Sequence, residues 1–284
     1  MSGPGVVGHV EWVDFAVVDR FPAAGEIAVA RDWFSAAAGG GAVAAVQMAR
    51  LAGHATFACA LGDDDYGRRA RDELTGRHGL TVLAAARDVP QRRAFTHLDA
   101  AGERTITVQG ERIVPHGDDT LDWDAVAALD GVYLTGGDAG AVRRARAAKV
   151  LVATPRAFDD LAQADVELDV LVASATDAGE AVDPARLPRP PRYVVRTRGS
   201  DGGEWEAADG TRGTWDPVAP PGEPVDAYGC GDSFAGALAY GLGAGMALPD
   251  ALHLAATCGA WCLCGRGPYG NQLSAADIAR ASAS

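Results

Sequence analysis

The chain has 284 residues, 48% of them hydrophobic, and a formal net charge of −13. That acidic balance excludes a broad basic surface for nucleic acid or anionic membrane, and no stretch approaches the roughly 20 apolar residues of a membrane span. Five cysteines, an odd number with three bunched at Cys258, Cys262 and Cys264, do not suggest a disulfide framework, and Met1-Ser-Gly-Pro-Gly lacks a signal-peptide pattern; a reducing cytoplasm is the expected compartment.

In chain order, short apolar runs alternate with helical patterns. Strands are expected over residues 5–10, 56–60, 132–134, 150–153, 170–173 and 193–196, and helices over 42–52, 66–78, 139–147, 233–241 and 251–262. Strands separated by helices predict βαβ units and a mostly parallel sheet, with its site at the carboxyl ends of the strands. Two stretches break the rhythm. Residues 11–34 hold β-like runs at 15–18 and 26–30 with no helix between them, and 94–108 reads as a hairpin turning at 100–103. They predict a small β lid, formed by about 11–34 and 92–113, on a single domain spanning 1–284. Residues 181–192, rich in Pro and Arg, read as a loop.

The motifs follow the same order. Gly39-Gly40-Gly41-Ala42-Val43-Ala44 fits the dinucleotide pattern G-x-G-x-x-A, but residues 33–38 make a poor first strand and the hydride-transfer reading is weak. The run still suits close approach of a polar ligand to backbone N–H groups at a helix start. Asp64 or Asp65 is expected to cap the next helix. Lys149 is the only lysine and sits outside any glycine-rich loop, which excludes a P-loop. Thr197, Gly199 and Gly202 end a strand and open a hairpin whose hydroxyls and glycines suit nucleotide phosphates.

The most specific stretch is Asp226-Ala-Tyr-Gly229-Cys230-Gly231-Asp232-Ser-Phe234, followed by a strongly helical run. Glycines at a helix start let a ligand approach first-turn N–H groups, which favour anions. A carboxylate there would repel an anion unless it had another task. Taking a proton from an attacking hydroxyl is such a task, so the turn reads as phosphoryl transfer to an alcohol. Cys230 at the helix start is expected to have a lowered thiol pKa.

Together these pieces resemble the PfkB, or ribokinase-like, family of sugar and nucleoside kinases. The resemblance runs through Val6-Val7-Gly8, Phe21-Pro22, Gly25-Glu26, Gly39-Gly40, Met48-Ala49-Arg50-Leu51, Gly62-Asp63-Asp64, Thr197-x-Gly199-x-x-Gly202 and Asp226 to Phe234. It implies a three-layer α/β/α fold with a mostly parallel central sheet and a small β lid. It also implies an ATP- and Mg²⁺-dependent kinase of a sugar or nucleoside. On this reading Asp232 is the general base, and the N–H groups of Gly229, Cys230, Gly231 and Asp232 form an anion hole. The acceptor would meet Glu11, Val13, Gly39, Gly40 and Arg93, with Arg104 as a second candidate for an anionic substituent. The nucleotide would meet Thr197, Gly199, Gly202 and Gly267, and Asp177 is the metal candidate.

Several positions depart from the family pattern. The usual first-strand Asp is Val13, the usual Asn after the glycines is Ala44, the usual Thr after Asp226 is Ala227, and the metal-related Asn-x-x-Glu is Ser174-Ala175-Thr176-Asp177, with Glu180 behind it. They leave a nucleoside kinase, or a nucleotide- or sugar-binding regulator without turnover, as alternatives. A monovalent cation and a homodimer joined through the lids are left open.

Overall fold

The apolar run near the N-terminus becomes the pivot of the molecule. In a computed structural model, which describes residues 3–100 and 103–283, it forms β1 (Pro4–Val7), buried at every position. The chain continues as β2 (Glu11–Val17), β3 (Asp32–Ala38), α1 (Gly40–Ala52), β4 (Thr56–Gly62), α2 (Asp65–Asp72) and β5 (Thr81–Arg87). Next come β6 (Arg93–Leu98), β7 (Arg104–Gln109), α3 (Trp123–Ala127), β8 (Gly131–Leu134), α4 (Ala139–Ala145), β9 (Val150–Ala153), α5 (Phe158–Ala164) and β10 (Val170–Ser174). The last part is β11 (Tyr193–Thr197), β12 (Gly203–Ala207), β13 (Arg212–Trp215), α6 (Cys230–Gly243), α7 (Leu248–Cys262) and α8 (Ala275–Ala283).

Among the described residues, nine strands form the large sheet in the order β13-β12-β11-β10-β9-β8-β1-β4-β5, parallel except at the antiparallel β11-β12-β13 edge. β8, β9 and β10 read as unbroken apolar runs because both their faces are covered. Val6 packs into one core with α1, α6 and α7, while Val7 packs into a second with α3, α4 and α5. Period-2 alternation along β1 thus divides the two helical layers. The strand order reverses at β1, which has β4 on one side and β8 on the other. Ligands of open α/β sheets bind outside the carboxyl ends at such a switch point.

A second sheet, β3-β2-β6-β7, forms the lid. Its inner face carries Glu11, Val13 and Phe15, all buried. Phe15 stacks on Phe34 at 4.6 Å and meets the edge of Tyr228 at 5.0 Å between ring centroids. The lid is therefore packed directly against the turn that opens α6.

Some boundaries differ from expectation. The first strand stops at Val7, short of residue 10, and residues 26–30 form no strand. Ile27 and Val29 are exposed there, with no sheet face to bury them. The second lid strand is instead β3, the segment judged a poor strand. It pairs antiparallel with β2 along its whole length, and its alanines Ala36, Ala37 and Ala38 are buried. The helix expected over 66–78 starts at Asp65 and passes into a π turn at Glu73–Arg77. Asp64 caps it, accepting from the Gly67 N–H at 2.9 Å. The hairpin turn at 100–103 falls partly on residues 101–102, which lie outside the described residues. No helix among the described residues is long and apolar enough to cross a membrane.

Candidate active site

Gly229 caps α6 with φ +82, and a Cβ there would stand 2.8 Å from Val43 Cγ1. Both facts require glycine. Gly231 faces open space. The helix supplies no acceptors for its own first-turn N–H groups, although the Cys230 N–H leans toward Ala227 O at 3.5 Å. The turn is held from below by buried Asp226, whose carboxylate accepts from the N–H groups of Tyr228 at 2.8 Å and Gly267 at 3.0 Å. Gly267 is thereby committed to bracing the turn. Tyr228 in turn accepts a hydrogen bond from the Gly39 N–H at 3.2 Å.

Asp232 sits in the first turn of α6, half-buried. A Cβ on Gly40 would stand 2.5 Å from its Oδ1. Burial, and then the nearby Glu180 carboxylate, raise its pKa to about 6, with Arg104, Arg156 and Arg112 pulling the other way. A Cβ on Gly39 would touch Glu11 Cγ and His9 Cδ2, both at 3.3 Å. The two glycines of α1 therefore bring its start within reach of the Asp232 carboxylate on one side and the lid carboxylate Glu11 on the other.

From Glu11 the polar groups continue as a ring along the strand ends. Glu11 pairs with Arg92 at 2.8 Å, and His9 Nε2 lies 3.8 Å from its Oε1. Arg112 donates to His9 Nδ1 at 2.9 Å, to Thr135 O just past β8, and to Arg156 O at 3.3 Å past β9. Arg156 pairs with Asp177 and, at 3.1 Å, with Glu180, both past β10. Glu180 also accepts from the Ser174 N–H at 2.7 Å.

Not every expected residue joins this ring. Arg93 lies on the outer face of the lid, paired with Asp14 at 3.0 Å and set over the Tyr66 ring at 4.2 Å. Its neighbour Arg92 takes the place beside Glu11. In β2 and β6, successive side chains alternate faces, so a one-residue shift decides which arginine turns inward. Val13 is fully buried in the inner lid face and offers no polar atom. Thr197 lies at the end of β11, opposite Ser174. Gly199 and Gly202 follow with positive φ, Gly199 over open space and Gly202 against Trp215 O. The Cys230 thiol pKa is raised rather than lowered: a contact with the Cys262 thiol and burial outweigh the helix terminus. His9, Arg112 and Arg156 were missed because each stands alone in the sequence; only the order of strands in the sheet gathers them with Glu180, which the sequence places just behind Asp177.

The whole fold matches solved structures. Over its full length the chain is 20% identical to a microbiome-derived acarbose kinase, whose chain it also covers completely, with a TM-score of 0.82. A ribokinase from Giardia lamblia is 17% identical, covering 100% of this chain and 99% of its own, with a TM-score of 0.81. Ribokinase from Arabidopsis thaliana, solved with ribose and ATP, is 19% identical, covering 99% of this chain and 98% of its own, with a TM-score of 0.75. No curated protein matches the sequence. The model of the pfkB family of carbohydrate kinases matches residues 5–275. With a doubly covered parallel sheet, a β lid and a glycine turn opening α6, the chain belongs to the pfkB family of carbohydrate kinases.

Proposed function

We propose that the protein transfers the γ-phosphoryl group of ATP to a hydroxyl of a sugar or sugar-like small molecule, with Asp232 as general base and the turn at 229–232 as anion hole. The observation that carries this reading is the juxtaposition at the start of α6. A carboxylate with a pKa near 6 stands beside first-turn N–H groups and against Gly40. A base of that pKa is ionised at neutral pH yet basic enough to accept a proton as the hydroxyl attacks. The N–H groups meet the charge that gathers on the transferred phosphoryl oxygens. In-line attack then needs little more than positioning.

The nucleotide would lie along Thr197, Gly199 and Gly202, which border the same strand ends. Asp177 and Glu180 flank Arg156, and Glu180 acts on Asp232, so carboxylates gather at this edge of the ring, which suits Mg²⁺ held mainly through phosphate and water oxygens. Asp177 and Glu180 are the residues that would hold it, shared with water and phosphate oxygens because Arg156 already engages both. When bound, the ion offsets charge on the phosphates. Phe15, Phe34 and Tyr228 seal the lid against the turn and exclude water from the acceptor.

The test is ADP release with ATP and Mg²⁺ across sugars, sugar derivatives, polyols and nucleosides. Turnover with one acceptor, reduced about 10²–10⁴-fold in Asp232→Asn, supports the reading. Ligand binding without ADP release from any acceptor overturns it.

A further inference from the structure

Cys230 is the first residue of α6 and Cys262 the last of α7. Gly259, one turn before Cys262, lets the two helices meet there: a Cβ on it would stand 3.3 Å from Cys230 O. Cys230 Sγ lies 4.0 Å from Asp226 O and Cys262 Sγ 3.5 Å from Tyr228 O. The two sulfurs thus flank one short stretch of backbone, and the side chains are in contact. The other cysteines point elsewhere. Cys59 and Cys258 are buried in the core, and Cys264 Sγ turns to Gly222 O at 3.3 Å.

Two donors converge on the Cys262 sulfur. One is the Cys230 thiol. The other is the Ser233 hydroxyl, whose oxygen accepts from Gln272 Nε2 at 3.1 Å and so keeps its own proton to donate. Together they lower the Cys262 thiol pKa against the effect of burial, while Cys230 is held protonated by the same contact. A thiolate beside a thiol is the arrangement that an oxidant converts to a disulfide. On the phosphotransfer reading only the N–H at position 230 is used, so neither sulfur has a task there.

We propose that Cys230 and Cys262 form an oxidative modification site, closed to a disulfide by a hydroperoxide, that switches off the turn at 229–232. With hydrogen peroxide, the Cys262 thiolate attacks one oxygen, the O–O bond breaks, and the leaving hydroxide takes a proton and departs as water. The Cys230 sulfur then attacks the sulfenic acid on Cys262, giving up its proton as the S–O bond breaks and a second water leaves. Two thiols and one peroxide become one disulfide and two waters, with two electrons passing from sulfur to oxygen. The bonded sulfurs stand about 2.05 Å apart, so at least one of them must leave its carbonyl. α7 already packs against Cys230 O at Gly259 and has no room to advance. The adjustment falls on the turn, where Gly229 is the pivot and Gly231 faces open space. Its N–H groups then aim away from the phosphate. The same open face is the route in, since Cys230 is partly exposed. The loss of phosphate binding rests on the anion-hole reading; the bond itself does not.

The experiment treats the full chain with hydrogen peroxide, maps its peptides without reduction by mass spectrometry, and titrates it with ATP by calorimetry, with ADP release followed in parallel. A Cys230–Cys262 cross-linked peptide is expected, with ATP affinity reduced about ten-fold or more and restored by dithiothreitol. Cys262→Ala should form no such link and keep its ATP affinity under peroxide, whereas Cys264→Ala should respond as the parent does. If Cys262→Ala does not fold, the peptide map and the dithiothreitol recovery of the unaltered chain decide. A Cys258–Cys262 link, thiols that stay unoxidised or pass to sulfinic and sulfonic acids, or a Cys230–Cys262 link that leaves ATP affinity unchanged overturns the proposal. So does a loss of affinity that persists in Cys262→Ala. A reversible Cys230–Cys262 link with the expected loss of ATP binding, in a protein that releases no ADP with any acceptor, overturns the phosphotransfer reading alone.

Discussion

Gly40 and Asp232, 192 positions apart in the sequence, approach so closely that a single methyl on Gly40 would stand 2.5 Å from the Asp232 Oδ1. A Cβ never approaches an oxygen that closely, so Gly40→Ala must displace the carboxylate or the start of α1. The first turn of α1 is anchored at the Gly39 N–H by Tyr228, and the carboxylate is the freer partner. Gly40→Ala is expected to lower kcat by roughly 10²-fold, as about 1 Å of misplacement does in oriented reactions. The thermal midpoint should move little. Parallel ADP-release and thermal-denaturation measurements check this; unchanged kcat would show that the base does not act from this position.

The raised pKa of Asp232 fixes the sign of two pH effects. The base works ionised, so kcat/KM is expected to fall about ten-fold per unit as pH drops below about 6. Stability runs the other way. The folded pKa of about 6 lies above the ordinary 3.8, so the ionised carboxylate opposes folding. That penalty is absent below pH 3.8, grows between 3.8 and 6, and is complete above 6. Its ceiling is about 3 kcal/mol from 1.36 kcal/mol per unit, and less because Asp232 is only half-buried. Asp232→Asn should therefore be more stable than the parent chain at pH 8 and indistinguishable at pH 4. Chemical denaturation at the two pH values measures the difference.

The proposed reaction was more legible in the sequence than its acceptor. Asp226, Gly229, Gly231 and Asp232 lie within seven residues, so the chain itself brings the proposed anion-binding turn and the proposed base together. The central strands were equally plain, because burial on both faces writes them as unbroken apolar runs. The polar ring beside that turn, the proposed acceptor side, is assembled from Glu11, Arg92, Arg112 and Arg156, which belong to four separate loops and strands. No local spacing joins them. Even the choice between Arg92 and Arg93 depends on which face of β6 turns inward, and that is set by pairing with β2. The β3 segment was misjudged for a related reason. Its alanines carry little strand propensity alone, and the strand forms because β2 pairs with it along its whole length.

Arg104 reaches from the lid strand β7 to Ala227 O at 3.0 Å, directly before the anion-hole turn. The contact is exposed and worth on the order of 1 kcal/mol, too little to hold the fold but enough to bias lid closure. Arg104→Ala is expected to raise the acceptor KM a few-fold and to increase ADP release without acceptor, since a looser lid admits water. Global stability should stay within about 0.5 kcal/mol. Steady-state kinetics with and without acceptor separate these effects. A fall in kcat at unchanged KM would instead place Arg104 at the transferred group.

Cys230 tests whether the turn acts through its backbone or its side chain. The thiol lies beside that of Cys262, and that contact together with burial raises its pKa, so little thiolate is present at neutral pH. Alkylation requires thiolate and access. Iodoacetamide at pH 7.5 is therefore expected to label the partly exposed Cys264 first and Cys230 at least ten-fold more slowly. Cys59 and Cys258 are buried, with pKa values pushed up by burial, and should react only after unfolding. Peptide mass spectrometry over a labelling time course gives the order. Because an anion hole needs only the N–H at position 230, Cys230→Ala should keep kcat within about five-fold of the parent, far from the loss expected of Asp232→Asn. Rapid labelling of Cys230 with matching loss of activity would show that the helix terminus, rather than Cys262 and burial, governs the thiol.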